Sequence, residues 1–136
     1  MNQVELAEQI AREVHKGQKR TIGRKEDYIE HPKRVASHFI MEELKVIAWL
    51  HDVLEDSEIS LQYLVDRGID YNLCLIVNIL TKNRYEDYLT YILRVKNHEK
   101  SRIIKIEDIK DNLVNLKEGS LRDKYLLALH ILEMEK

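Results

Sequence analysis

A chain of 136 residues with only four glycines and one proline has few places to turn sharply. A β-sandwich or barrel of this length needs many more turn residues. The chain is instead rich in Leu, Ile, Glu and Lys, which favour helix. The pattern predicts an all-α fold, a bundle of about seven to eight helices. The length suits one hydrophobic core, so residues 1–136 read as a single domain.

Charge narrows the function classes. Lys and Arg total 22 against 24 Asp and Glu, a net charge of −2, whereas a general nucleic-acid coat protein is far more basic. Hydrophobic residues at 44% exclude a disordered or low-complexity chain. Cys74 has no second cysteine to pair with, which fits a reducing compartment. No apolar run approaches the roughly 20 residues that span a bilayer. The N-terminus has no basic region followed by an apolar one, so no secretory signal is expected. A soluble cytoplasmic protein is the expectation.

Helical periodicity places the elements. Val4, Ala7, Ile10, Ala11 and Val14 mark a helix over residues 3–16, stopped by Gly17. Residues 16–25 hold five basic side chains and two glycines without periodicity, and read as a loop. A second helix starts at His31-Pro32, where proline's missing N–H costs nothing. A third is expected over residues 42–55, with Leu44, Ile47, Ala48 and His51 on one stripe. Further helices are expected at 60–67, 70–80, around Tyr85 to Ile92, and at 101–116. The last begins at Ser120, where Ser120 and Asp123 suggest a capping box.

The informative residues are the polar ones inside apolar stretches. The run Trp49-Leu50-His51-Asp52-Val53-Leu54-Glu55-Asp56 sets four titratable side chains at the end of a core helix. As a continuous helix it would put His51 and Glu55 on one face, with Asp52 and Asp56 beside them. A buried, unpaired carboxylate costs several kcal/mol, so such a site calls for a compensating cation. Asp108 lies between Ile106 and Ile109, with Asn112 one turn further on, and His31 opens its helix. Two imidazoles and two carboxylates suit a divalent ion such as Mn²⁺, Fe²⁺ or Zn²⁺.

His-Asp-x-x-Glu-Asp, with His-Pro upstream and an isolated Asp downstream, resembles the HD-superfamily phosphohydrolases. Within that superfamily it resembles the hydrolase domain of the Rel/SpoT homologues, including the small single-domain alarmone hydrolases of metazoan SpoT-homologue type. The resemblance runs from about residue 15 to 116. It rests on His15-Lys16-Gly17-Gln18-Lys19-Arg20, Tyr28-Ile29-Glu30-His31-Pro32, Leu50-His51-Asp52-Val53-Leu54-Glu55-Asp56, Leu80-Thr81-Lys82 and Ile104-Lys105-Ile106-Glu107-Asp108.

The resemblance implies an HD-domain bundle with metal ligands at His31, His51, Asp52 and Asp108, the metal being most readily Mn²⁺. It implies Glu55 as the proton acceptor, Asp56 as its helper beside the attacking water, and Asn112 as a group orienting that water or a phosphate oxygen. It implies a phosphorylated guanosine nucleotide as substrate, with Lys19, Arg20 and Lys82 on the nucleotide side and Arg20 packed on the base. The implied reaction removes the 3′-pyrophosphate of ppGpp or pppGpp to leave GDP or GTP. Two positions depart from the family pattern: Glu107 stands where alanine is usual, and Asp111 where histidine is common. Alternatives that stay open are another phosphorylated nucleotide, such as NADPH or a nucleoside monophosphate, and a non-catalytic nucleotide sensor.

The remaining features have structural readings. His15 packs a loop on the first helix, and His38, His98 and His130 are ordinary histidines. Arg24 and Lys25 contact a diphosphate or form a solvated face. The tyrosines from Tyr85 to Tyr91 read as mainly core, and Cys74 as an inert buried thiol. Asp108 on its own could equally pair with Lys105. The sequence does not specify an oligomeric state.

Overall fold

A computed structural model describes residues 1–55 and 58–134. They form eight α-helices: α1 (Gln3–Val14), α2 (Glu30–Ser37), α3 (Glu42–Leu50), α4 (Leu61–Arg67), α5 (Tyr71–Leu80), α6 (Tyr88–Lys96), α7 (Glu99–Leu113) and α8 (Ser120–Glu133). The all-α expectation holds. Among the described residues the only extended pairing is an isolated bridge between Lys19 and Asp27 in the basic loop. None of these helices is long and apolar enough to cross a membrane.

Local chemistry sets most helix starts. Asn2 and Glu5 form a reciprocal capping box on α1. The side chains of Ser60, Asp70 and Asp87 accept the free N–H groups that open α4, α5 and α6. Gly68, in the left-handed region at φ 105°, closes α4. The capping box expected at Ser120 does not form. Gly119 occupies the cap position without a side-chain bond, and Ser120 is the first helical residue.

α3 and α7 organise the bundle. α3 packs against α1, α2, α5 and α7, and α7 also packs against α2, α5, α6 and α8. The apolar stripes of these helices merge into one buried cluster that includes Ile10, Val35, Ile47, Leu50, Leu64, Val77, Ile92, Ile104, Ile109 and Leu132. Burial makes this cluster the main stabilising term, at about 25 cal/mol per Å² of apolar surface. Tyr91 joins the core, but Tyr85 is 90% exposed and precedes α6, so the tyrosine group is not uniformly core.

The third helix is shorter than its periodicity suggests. It ends at Leu50, and residues 51–55 follow as tight turns. The His51 ring Nδ1 lies 2.6 Å from the Ala48 carbonyl oxygen and donates to it. That bond competes with the backbone N–H that would continue the α-helix. The chain then closes three-residue turns from Val53 N–H to Leu50 and from Glu55 N–H to Asp52. Glu55 is therefore not one helical turn above His51.

The basic loop is pinned to the end of α7. Gly23 has φ +66°, and a Cβ added there would lie 2.7 Å from the Val114 carbonyl oxygen. Gly23→Ala therefore combines left-handed strain with a backbone clash, and should destabilise the protein by more than about 1 kcal/mol in chemical denaturation.

Burial pushes the Cys74 thiol up to about 11, while the thiol of an unfolded chain titrates near ~8.5. Between those values the unfolded chain ionises and the folded one does not, so stability falls as pH rises. Wild type should lose more stability than Cys74→Ala between pH ~8 and ~10, measured as the difference between their denaturation midpoints.

Candidate metal centre

Four side chains from three parts of the chain converge under the bundle surface. His31 is the second residue of α2, His51 and Asp52 follow α3 directly, and Asp108 lies in the middle of α7. The helix contacts of α3 with α2 and α7 bring them together. His31 is fully buried, and His51 and Asp108 are each 2% exposed.

One atom from each residue makes a compact set. His31 Nε2 lies 3.2 Å from His51 Nε2, 2.8 Å from Asp108 Oδ1 and 3.5 Å from Asp52 Oδ2. His51 Nε2 lies 3.0 Å from Asp52 Oδ2 and 3.3 Å from Asp108 Oδ1. All four ligand atoms lie within 4.8 Å of one another. With metal–ligand bonds of about 2.1 Å, neighbouring ligands stand about 3 Å apart in an octahedron and about 3.4 Å in a tetrahedron. The five separations from 2.8 to 3.5 Å match the edges of such a polyhedron.

Hydrogen bonds aim both imidazoles the same way. His51 donates Nδ1–H to the Ala48 carbonyl, and His31 donates Nδ1–H to Asp111 Oδ2 at 2.7 Å. With Nδ1 protonated, a neutral ring presents its Nε2 lone pair. When both rings are neutral, two lone pairs and two carboxylates face one another. A divalent cation fits that donor set chemically as well as geometrically.

The titration behaviour reflects this crowding of anions. Burial alone would lower the His51 pKa, but Asp52 and Asp108 override it and hold it well above the usual imidazole value. Burial likewise works against the Asp108 carboxylate, while Lys105 and His51 hold its pKa well below the ordinary range. Asp52 is held low against burial by the charge of His51.

Several neighbours were not picked out from the sequence as part of the centre. Tyr28 donates its hydroxyl to Asp52 Oδ2. Burial and the Asp52 charge push that phenol up, so it stays a donor. Lys105 Nζ lies 2.8 Å from Asp108 Oδ2 and over the Tyr91 ring, 5.1 Å from its centroid. The Lys105–Asp108 pairing was visible as an i, i+3 spacing, yet it forms inside the protein, where the Lys105 side chain is only 14% exposed. Asp111 accepts from His31 and from Arg34. Its one visible signal was an acidic residue where the family commonly has histidine.

The other expected site residues fall in three places. Asn112 Nδ2 reaches Asp108 Oδ1 at 3.4 Å, and its Oδ1 accepts from Arg20 Nη2 at 3.2 Å. Arg20 is buried, with its guanidinium 5.9 Å from the Tyr28 ring centroid. Lys19 is exposed and pairs with Asp27. Lys19 and Arg20, with Thr21, Lys25 and Glu26, line an open cleft of about 600 Å³. Glu55 accepts from the Lys82 backbone N–H at 3.2 Å, so those two are adjacent, while Lys82 Nζ bonds to the Asn83 carbonyl. Asp56 lies outside the described residues. Glu107 faces His38 at 3.5 Å and Lys110 at 3.9 Å rather than the buried donors. His15 packs on Tyr28 with ring centroids 4.8 Å apart, the structural role expected of it.

The same architecture occurs in a solved structure. The chain superimposes on a metazoan ortholog of SpoT, a protein that hydrolyzes ppGpp and plays a role in starvation responses. The TM-score is 0.76 at 19% identity, over 97% of this chain and 84% of that one. The two proteins share a fold. No protein-family model matches the sequence, and no curated protein matches it either.

Metal-free protein should bind Mn²⁺ and gain about 2.7 kcal/mol of stability when the free ion is a hundredfold above its dissociation constant. His51→Ala and Asp108→Asn should each remove that gain. Melting curves with Mn²⁺ and with EDTA read both effects, and an unchanged gain in either variant would contradict the ligand set.

Proposed function

We propose that the chain is a metal-dependent phosphohydrolase that removes the 3′-pyrophosphate from ppGpp or pppGpp, giving GDP or GTP and pyrophosphate. The observation that carries this reading is the cluster of buried His31, His51 and Asp108 with half-buried Asp52, seated in the fold of a ppGpp hydrolase. Mn²⁺ is the proposed ion, residues 1–136 the proposed catalytic domain, and the cytoplasm the proposed setting.

When bound, a divalent ion acts as a Lewis acid and lowers the pKa of water toward about 7. The remaining work falls to this chain's residues. Glu55 accepts a proton as the water oxygen bonds to the phosphorus beside the ribose 3′ oxygen. The bond from that phosphorus to the 3′ oxygen breaks, and the 3′ oxygen leaves with a proton. Asp56 assists Glu55. Asn112, next to Asp108, orients the water or a phosphate oxygen. Lys82, beside Glu55, and the cleft bearing Lys19 and Arg20 attract the phosphates.

One observation favours keeping a second substrate in view. Arg20, which the family resemblance sets against the base, is buried and bonded to Asn112. The second reading is therefore the same chemistry on another phosphorylated nucleotide, such as NADPH or a nucleoside monophosphate. Incubating Mn²⁺-loaded protein with ppGpp, separating the nucleotides and assaying pyrophosphate distinguishes these. GDP plus pyrophosphate, abolished by EDTA, is the expected result. Release of phosphate from a different nucleotide would support the second reading. Binding of ppGpp without turnover would make the protein a sensor.

Glu55→Gln should lower turnover by about 10²- to 10⁴-fold while leaving Mn²⁺ binding in place, the magnitude typical of a lost general base. Steady-state rates and metal titration on one preparation check it. Undiminished turnover would exclude Glu55 as the base.

A further inference from the structure

The two ligand imidazoles are held by different devices. His51 uses a backbone carbonyl of the helix it follows, whereas His31 depends on a carboxylate 80 residues away on α7. That carboxylate, Asp111, is itself clamped. Arg34 Nε lies 2.7 Å from Asp111 Oδ1, and Arg34 Nη2 lies 3.0 Å from Asp111 Oδ2. This two-point fork fixes the plane of the carboxylate. Arg34 also grips Glu26 of the basic loop through Nη1 and Nη2. Arg20 Nη2 and Arg24 Nη1 each stand 3.9 Å from Asp111, so its negative charge is surrounded by guanidinium groups.

From this geometry we infer that Asp111, held by Arg34, is the positioning residue that sets the tautomer and aim of His31 for a metal ion. His31 and Arg34 are three apart on α2, so both reach the same carboxylate on α7. A neutral His31 places its single ring proton on Nδ1 to meet Asp111, and its Nε2 lone pair then faces Asp108 and His51. Arg34 contributes by holding and neutralising Asp111, and lysine could not replace it because it lacks the fork. The departure at position 111 is thus matched by a cation, and its charge serves a ligand rather than repelling substrate phosphates.

This inference rests on the metal-centre reading, and one experiment separates the two. Mn²⁺ alone is titrated calorimetrically into metal-free wild type, Asp111→Asn, Arg34→Gln and the double variant, and each metal-free protein is also melted. Wild type should bind. Asp111→Asn, which keeps the side-chain shape, should bind about 10- to 100-fold more weakly, the range seen when such partners of metal ligands are lost. Arg34→Gln should weaken binding less, and the double variant should be no weaker than Asp111→Asn, because Arg34 acts through Asp111. Lower metal-free stability with Mn²⁺ affinity within about twofold of wild type would show a merely structural carboxylate and overturn the inference. Additive losses in the double variant would overturn the part assigned to Arg34. Wild type failing to bind would remove the metal centre itself, and the inference with it.

Discussion

The arrangement depends on a meeting of titratable groups that is costly to desolvate: two imidazole Nε2 atoms 3.2 Å apart, with two carboxylates beside them, in a largely buried cluster. No apolar packing rewards such a meeting, and desolvation penalises every charge in it. It persists because each ring is held from behind, His51 by Ala48 and His31 by Asp111, so that neither can turn its Nε2 away. The helix core supplies the rigidity, since α7 carries Asp108, His51 and Asp52 directly follow α3, and the two helices contact each other. Placing a site on rigid elements of this kind is what lets ligand geometry hold to fractions of an ångström.

Charge balance extends the same constraint outward. Asp52, Asp108 and Asp111 are carboxylates within one small volume. Each has a side-chain donor: Tyr28 for Asp52, Lys105 for Asp108, and Arg34 for Asp111. Their origin ties distant segments together, because Tyr28 precedes α2 while Lys105 shares α7 with Asp108. The basic loop belongs to this balance as well. Arg20 reaches Asn112, and Glu26 accepts from Arg34. A loop that in sequence reads as a phosphate-facing stretch is therefore also part of the support behind His31.

Much of this was legible in the sequence, for identifiable reasons. Four glycines and one proline leave little option but helices, and the periodic apolar positions Ile10, Ile47 and Ile109 are buried as their spacing requires. His51, Asp52 and Asp108 stood out as polar side chains in apolar stretches, and His31 through the His-Pro pattern upstream. The expectation failed where one atom outweighed a pattern. The apolar stripe ran through His51, yet the bond from its ring to Ala48 stops α3 at Leu50 and carries Glu55 off the face it was expected to share. Tyr85 fitted the helical period and is nevertheless outside α6, because Asp87 supplies the cap that starts the helix after it.

The sequence by itself determined that the chain is helical, which apolar positions turn inward, and which side chains are chemically able to hold a cation. Those properties follow from residue type and spacing within a single turn or two. Only the tertiary structure decided which partner stands behind each of those side chains. Asp111 is 80 residues from His31, and Arg20 is 92 from Asn112. No periodicity encodes a pairing at that distance, because it is set by how whole helices cross. Position 111 shows the difference. In the sequence it is an added negative charge of unknown effect. In the folded chain the crossing of α2 and α7 places it between Arg34 and His31, where that charge orients a ring.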